Sequence, residues 1–268
     1  MNKSSDILRQ TVVLVSAILA IVGSFIGSGA AGGTPIQNAS GGALAADATP
    51  IAPDGPAFGI WTAIYLGLIA YALWQFLPAQ TTDDRQRALG YPIAASLILN
   101  AAWILSIQFD LLWLSVPVIV LLLVVLIRAF QLTIRSRPRN LTETIVADGT
   151  VGLYLGWVSI ATAANITAVL VASGFAGFGL SADLWAVLVI AVAGLVGVFL
   201  ALYGHGRLAP AASLCWGLAW LAVARLTGNL LSTPAAIAAI VAVAAILIVT
   251  IIVRLRTSTS DTSRLVTA

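Results

Sequence analysis

The sequence predicts an all-α fold, a polytopic transmembrane helix bundle of about eight helices with both termini in the cytoplasm. Three observations carry that reading. The chain is 60% hydrophobic and only 9% charged, against roughly 25% charged in an average soluble domain, and its mean hydropathy is +1.03. Apolar runs of about 20 residues recur, the length that a helix rising about 1.5 Å per residue needs to cross a hydrocarbon core of about 30 Å. These runs are continuous rather than alternating with period two, which favours helices over a barrel. Finally, the thirteen Lys and Arg residues gather in alternate loops.

The first span, 10–32, follows Lys3 and Arg9 and ends in Ser28-Gly29-Ala30-Ala31. A secretory signal has similar parts, but this stretch exceeds the roughly 7–15 residues of a signal core, and its removal would leave an odd number of spans. The loop 33–56 is rich in Gly, Ala and Pro, holds Asp47 and Asp54, and faces outside, where it could cap a cavity. The second span, 57–78, carries Phe58, Trp61 and Tyr65 at spacings of three and four, an aromatic stripe near its outer end. For Trp61 an interfacial belt is the alternative. The third and fourth spans, 91–109 and 112–133, are separated by little more than Gln108-Phe109-Asp110, as a tight helical hairpin requires. A merged helix would be too long to cross once. The fifth span is 146–172, and 184–203, 210–228 and 235–253 are built mostly of Ala, Val, Leu and Ile. The Thr- and Ser-rich segment 257–268 has little to bury and reads as a disordered cytoplasmic tail.

Charge sets the topology. Lys3, Arg9, Arg85, Arg87, Arg128, Arg135, Arg137, Arg139, Arg207, Arg254, Arg256 and Arg264 fall on one side, whereas the opposite loops hold Asp47, Asp54, Asp110 and Asp183 and no Lys or Arg. Only Arg225 is out of place. It lies about a turn from the outer end of the seventh span and reads as snorkelling to the surface, with a cavity or a partner as the alternative. The net charge of +3 follows from this bias, and no basic run is dense enough to suggest a nucleic-acid partner. Arg135-Ser136-Arg137-Pro138-Arg139 reads as an anchor to anionic headgroups. Cys215 is the only cysteine, so no intrachain disulfide forms, and His205, the only histidine, reads as an interfacial turn residue. No span carries a lysine for a retinal Schiff base.

Five of the eight tryptophans, Trp61, Trp74, Trp103, Trp113 and Trp157, lie within 57–172 together with the amides Asn100 and Asn165. The chemistry is therefore expected there. Asn100 precedes Trp103 by three residues, so amide and indole share a helix face. An unpaired amide in hydrocarbon costs several kcal/mol, so Asn100 must bond either another helix or a ligand. Asn165 stands two turns along from Trp157, with Ser159 and Thr162 on other faces.

The segments Pro56-Ala57-Phe58-Gly59-Ile60-Trp61-Thr62-Ala63-Ile64-Tyr65, Leu99-Asn100-Ala101-Ala102-Trp103 and Tyr154-Leu155-Gly156-Trp157-Val158-Ser159-Ile160-Ala161-Thr162-Ala163-Ala164-Asn165 resemble the tryptophan-rich sensory protein / translocator protein family (TspO/MBR), in its order and spacing. The resemblance covers about residues 10–172 and implies that family's five-helix bundle over 1–172, with three additional transmembrane helices in 173–256 that either pack on its outer face or form a second half. It also implies an intra-bundle pocket, covered by the loop after the first helix, that binds porphyrins and other flat apolar ligands. Trp61, Asn100 and Trp157 match the family's pocket positions. Pro53-Asp54-Gly55-Pro56 is poorer in Pro and Trp than the family's opening of its second helix, and one residue is missing before Trp61. The family's C-terminal sterol motif has no good counterpart.

The function expected is that of a non-enzymatic receptor or carrier in the plasma membrane. Its ligand-binding residues are Phe58, Trp61, Tyr65, Asn100, Trp103, Trp157 and Asn165. Neither a metal nor a cofactor is expected. The partners are membrane lipids and a hydrophobic small molecule, tetrapyrrole-like on the resemblance, with a homodimer left open. The alternative is a secondary transporter of a small solute, using Asn100, Asn165 and Arg225, although no span holds a central carboxylate and no inverted repeat is visible. A membrane enzyme is disfavoured, because no His, Cys or carboxylate cluster is apparent.

Overall fold

The computed structural model describes residues 3–266, with side chains through Thr257. Among them are eight helices long and apolar enough to cross a membrane: α1 (Lys3–Gly27), α2 (Ile60–Trp74), α3 (Asp84–Gln108), α4 (Leu112–Arg135), α5 (Thr150–Ala172), α6 (Ala182–Tyr203), α7 (Leu208–Thr227) and α8 (Thr233–Val266). A 3-10 turn, Gly55–Gly59, leads into α2, and a helical turn with a π-helical segment, Leu141–Glu143 and Thr144–Gly149, leads into α5.

The helix edges depart from the hydropathy edges for local reasons. Apolarity marks the stretch in lipid, whereas capping marks the helix. Thus α3 begins at Asp84 rather than 91, because the Asp83 carboxylate accepts from Gln86 N at 3.0 Å. Helix α1 stops at Gly27 rather than 32, where Gly29 and Gly32 take positive φ. Helix α8 continues to Val266, through most of the segment for which the sequence predicts disorder.

The hairpin at Asp110 is a Schellman turn. Asp110 takes φ of 59°, Leu111 N donates to Ser106 O at 2.8 Å and Asp110 N to Ile107 O at 3.2 Å. His205 closes α6 in the same way, with φ of 54° and Gly206 N donating to Ala201 O at 2.9 Å.

Helices α1, α3, α4, α5 and α2 close a ring, each packed on the next. Outside it, α7 packs on α5, α8 on α7, and α6 on α8. The three C-terminal helices therefore form a layer on the outer face of the five-helix bundle, seated on α5. The seam is made by Gly152 and Gly156. A Cβ on Gly152 would press on Ala209 and Pro210, and one on Gly156 would meet the Pro210 carbonyl and the Ser213 hydroxyl. Such small-residue pairs four apart let helix backbones approach closely where no hydrophobic drive exists between helices.

The cytoplasmic ends are tied by charge. Arg85 of α3 pairs with Glu143 at 2.8 Å and with Asp148, and Asp148 also pairs with Arg207 at 2.9 Å. Arg207, which precedes α7, also donates to Thr133 O of α4 at 2.8 Å. Burial lowers the pKa of its guanidinium, and the Asp148 carboxylate pulls the other way. Arg139 pairs with Asp83, and Arg87 with Asp6 at 2.7 Å. Much of the cytoplasmic charge thus fastens helix to helix.

Candidate ligand-binding site

The ring of α2–α5 encloses an almost wholly apolar cavity at the outer half of the bundle. Helix α5 supplies one wall as a stripe, Trp157, Ala161, Ala164 and Ala168, spaced by four, three and four. The alanines leave room that larger residues would fill. Opposite stand Phe58 from the 3-10 turn before α2, Trp61 from the start of α2, Asn100 and Trp103 from α3, and Ile119 and Leu122 from α4. The loop after α1 closes the top with Ala43, Leu44, Thr49, Ala52 and Pro53.

The aromatic residues pack edge to face. Trp157 meets Phe58 at 5.8 Å and Trp61 at 6.4 Å between ring centroids, and Trp61 meets Tyr154 at 5.6 Å. Trp157 is 2% exposed. Tyr65 stands behind Trp61, 5.5 Å from it, and does not line the cavity. The other six residues singled out from the sequence do: Phe58, Trp61, Asn100, Trp103, Trp157 and Asn165.

The two amides are used differently. Asn165 accepts from Trp103 Nε1 at 3.1 Å and donates from Nδ2 to the Ser115 hydroxyl at 2.9 Å, which ties α3, α5 and α4 together. Asn100 is 3% exposed and donates from Nδ2 to the Tyr65 hydroxyl at 2.5 Å. The Tyr65 hydroxyl also bonds the Ser24 hydroxyl of α1. The other end of that amide, Asn100 Oδ1, is buried with no hydrogen-bond partner, and so is Thr49 Oγ1 in the lid. Both residues line the cavity.

The lid is held from outside the five-helix ring. Arg225 of α7 does not snorkel: it is 2% exposed and donates from Nη1 to Thr49 O at 3.1 Å and from Nη2 to Ala46 O. The loop's carbonyls provide what lipid cannot, so the guanidinium turns inward rather than to the headgroups. Two further bonds join the same surfaces. Trp216 Nε1 donates to Ala57 O at 2.9 Å, and Asp54 N donates to Trp220 O at 3.3 Å.

Sequence reasoning missed Thr49, Ser115, Tyr154 and the role of Arg225. Tyr154 could have been found, since it precedes Trp157 by one helical turn; it donates to Ser96 O at 3.3 Å and braces Trp61. Nothing in the local sequence marks Thr49. Among the described residues no group of three or more His, Cys, Asp or Glu is placed to hold a metal ion.

No curated protein and no solved structure is similar enough to the chain to register as a match. The family model for TSPO-like protein matches residues 12–253, and so runs past the first five helices through α6, α7 and nearly all of the spanning part of α8. An eight-span helical bundle with an aromatic, lidded cavity and a match over that length make this chain a member of the TSPO-like protein family.

Proposed function

We propose that the protein is a non-enzymatic receptor or carrier of the plasma membrane that takes a flat hydrophobic molecule, porphyrin-like in size and shape, into the cavity beneath the 43–54 loop. The observation that carries this reading is the pair of unpartnered polar atoms, Asn100 Oδ1 and Thr49 Oγ1, on an otherwise apolar wall. A buried polar atom left unpaired costs about 1–3 kcal/mol. A ligand that presents an N–H or O–H at its edge recovers that energy while its ring plane lies against Trp61, Trp157 and Phe58.

The cavity encloses about 50 Å³ of free space, well below the roughly 300 Å³ at which ligand pockets usually begin. A tetrapyrrole therefore enters only when the lid lifts and the Phe58 and Trp61 rings swing aside. The test is quenching of tryptophan fluorescence by protoporphyrin IX in the detergent-purified protein. Saturable quenching at micromolar concentration, weakened about tenfold in Asn100→Ala and lost in Trp61→Phe, is expected. Unsaturable quenching that both variants leave unchanged refutes the pocket.

One observation favours the carrier over a simple receptor. At the cytoplasmic end of the ring, Arg9 Nε and Nη1, the Tyr71 hydroxyl, and Oε1 of Gln75, Gln80 and Gln86 are all buried without partners. Donors and acceptors of this kind gathered at one end suit the polar edge of a ligand passing from the apolar cavity toward the cytoplasm. Uptake of the porphyrin into proteoliposomes, against binding alone, separates the two.

A further inference from the structure

A second cleft opens on the cytoplasmic half of the molecule, far from the lid. It lies between α2 and the π-helical segment before α5, is closed below by the start of α7 and the inner end of α8, and holds about 680 Å³. Its upper part is apolar, formed by Leu66 and Ala70 of α2, Ile145 and Leu153. Leu66 and Ile145 are both more than half exposed although they sit within spans, so their side chains meet whatever fills the cleft. Its lower rim carries Arg207 and Arg254.

Charge decides the occupant. The carboxylate on the same rim, Asp148, is already engaged by Arg85 and Arg207, and Glu143 is engaged by Arg85, so those two cations and two anions cancel. Arg254 is exposed and in no ion pair among the described residues, and it adds one uncompensated positive charge. The Gly204–Gly206 turn brings it there: Gly206 takes φ of +72° and packs so closely on the Arg254 backbone that a Cβ would overlap it. An apolar slot in the inner leaflet that ends in a guanidinium excess matches an anionic amphiphile, with the chain above and the phosphate below.

We propose that this cleft is a binding site for an anionic glycerophospholipid of the cytoplasmic leaflet. An acyl chain lies along Leu66, Ala70 and Leu153, and the phosphate bonds Arg254. The site is independent of the ligand cavity and of the function proposed for it.

Native mass spectrometry of the delipidated full-length protein, titrated with dioleoyl phosphatidylglycerol or with dioleoyl phosphatidylcholine, tests the proposal. The expected result is about a fivefold preference for phosphatidylglycerol, abolished in Arg254→Gln. Leu66→Trp, which fills the slot, should reduce retention of the anionic lipid without lowering the melting temperature of the lipid-free protein. Equal retention of the two lipids by the wild type overturns the site. So does an undiminished preference in Arg254→Gln, or competition by inorganic phosphate alone as effective as that by the lipid.

Discussion

Asn100 and Asn165 are chemically one residue placed in two similar helices, and what stands opposite each decides its work. Asn165 has both ends of its amide occupied by side chains of other helices, so it ties them together. Replacing it with Leu leaves the Trp103 indole and the Ser115 hydroxyl without that partner, and should cost about 1 kcal/mol, read as a lower melting temperature in detergent. Asn100→Leu should cost less stability, because one end of its amide is already unpartnered, yet lose more ligand affinity. A larger stability loss at Asn100 than at Asn165 would reverse these roles. The sequence placed both amides in the membrane interior and could go no further, since Ser115 is fifty residues from Asn165 along the chain. Aromatic spacing was more informative. Phe58 and Trp61 reach the cavity, whereas Tyr65, one turn further along α2, passes behind it to meet Asn100 and Ser24.

At the scale of the helix, hydropathy located the eight spans; their ends moved by up to seven residues, except that α8 runs thirteen residues past its span to Val266. What it left out was the pairing of helices, because a Leu-rich face looks the same toward lipid as toward a neighbour. The signal that does carry pairing is the glycine pair on α5. Gly156→Val should force α7 off its seat, since the new side chain would overlap the Pro210 carbonyl and the Ser213 hydroxyl. The expected outcome is cleavage by protease in the loops bounding α7 under conditions where the wild type resists. Helix α7 matters beyond packing because Arg225 and the Trp220 carbonyl grip the loop over the cavity. Arg225→Gln shortens that reach and removes the charge. It should accelerate porphyrin association and dissociation severalfold in stopped-flow quenching, with the bundle still folded; unchanged rates would mean the loop is not the gate.

For the whole molecule, the alternation of cationic and acidic loops predicts the topology, and the ion pairs at the ends that carry them show a second use for the same arginines. In a Cys215→Ser background, a cysteine at Asn229 should react with an impermeant maleimide from outside. One at Thr142 should react only after permeabilisation. Labelling of both from one side would overturn the eight-span count. The position of α5 has a mechanical corollary. Trp157 and Ile160 line the cavity and also pack on Gly217 of α7, which in turn holds the lid. A guest that pushes the Trp157 indole outward should press on α7 at Gly217, and the thrust should reach the loop through Arg225. On the proposed function, filling of the cavity and opening of the lid should then be coupled through this one contact, without a separate relay.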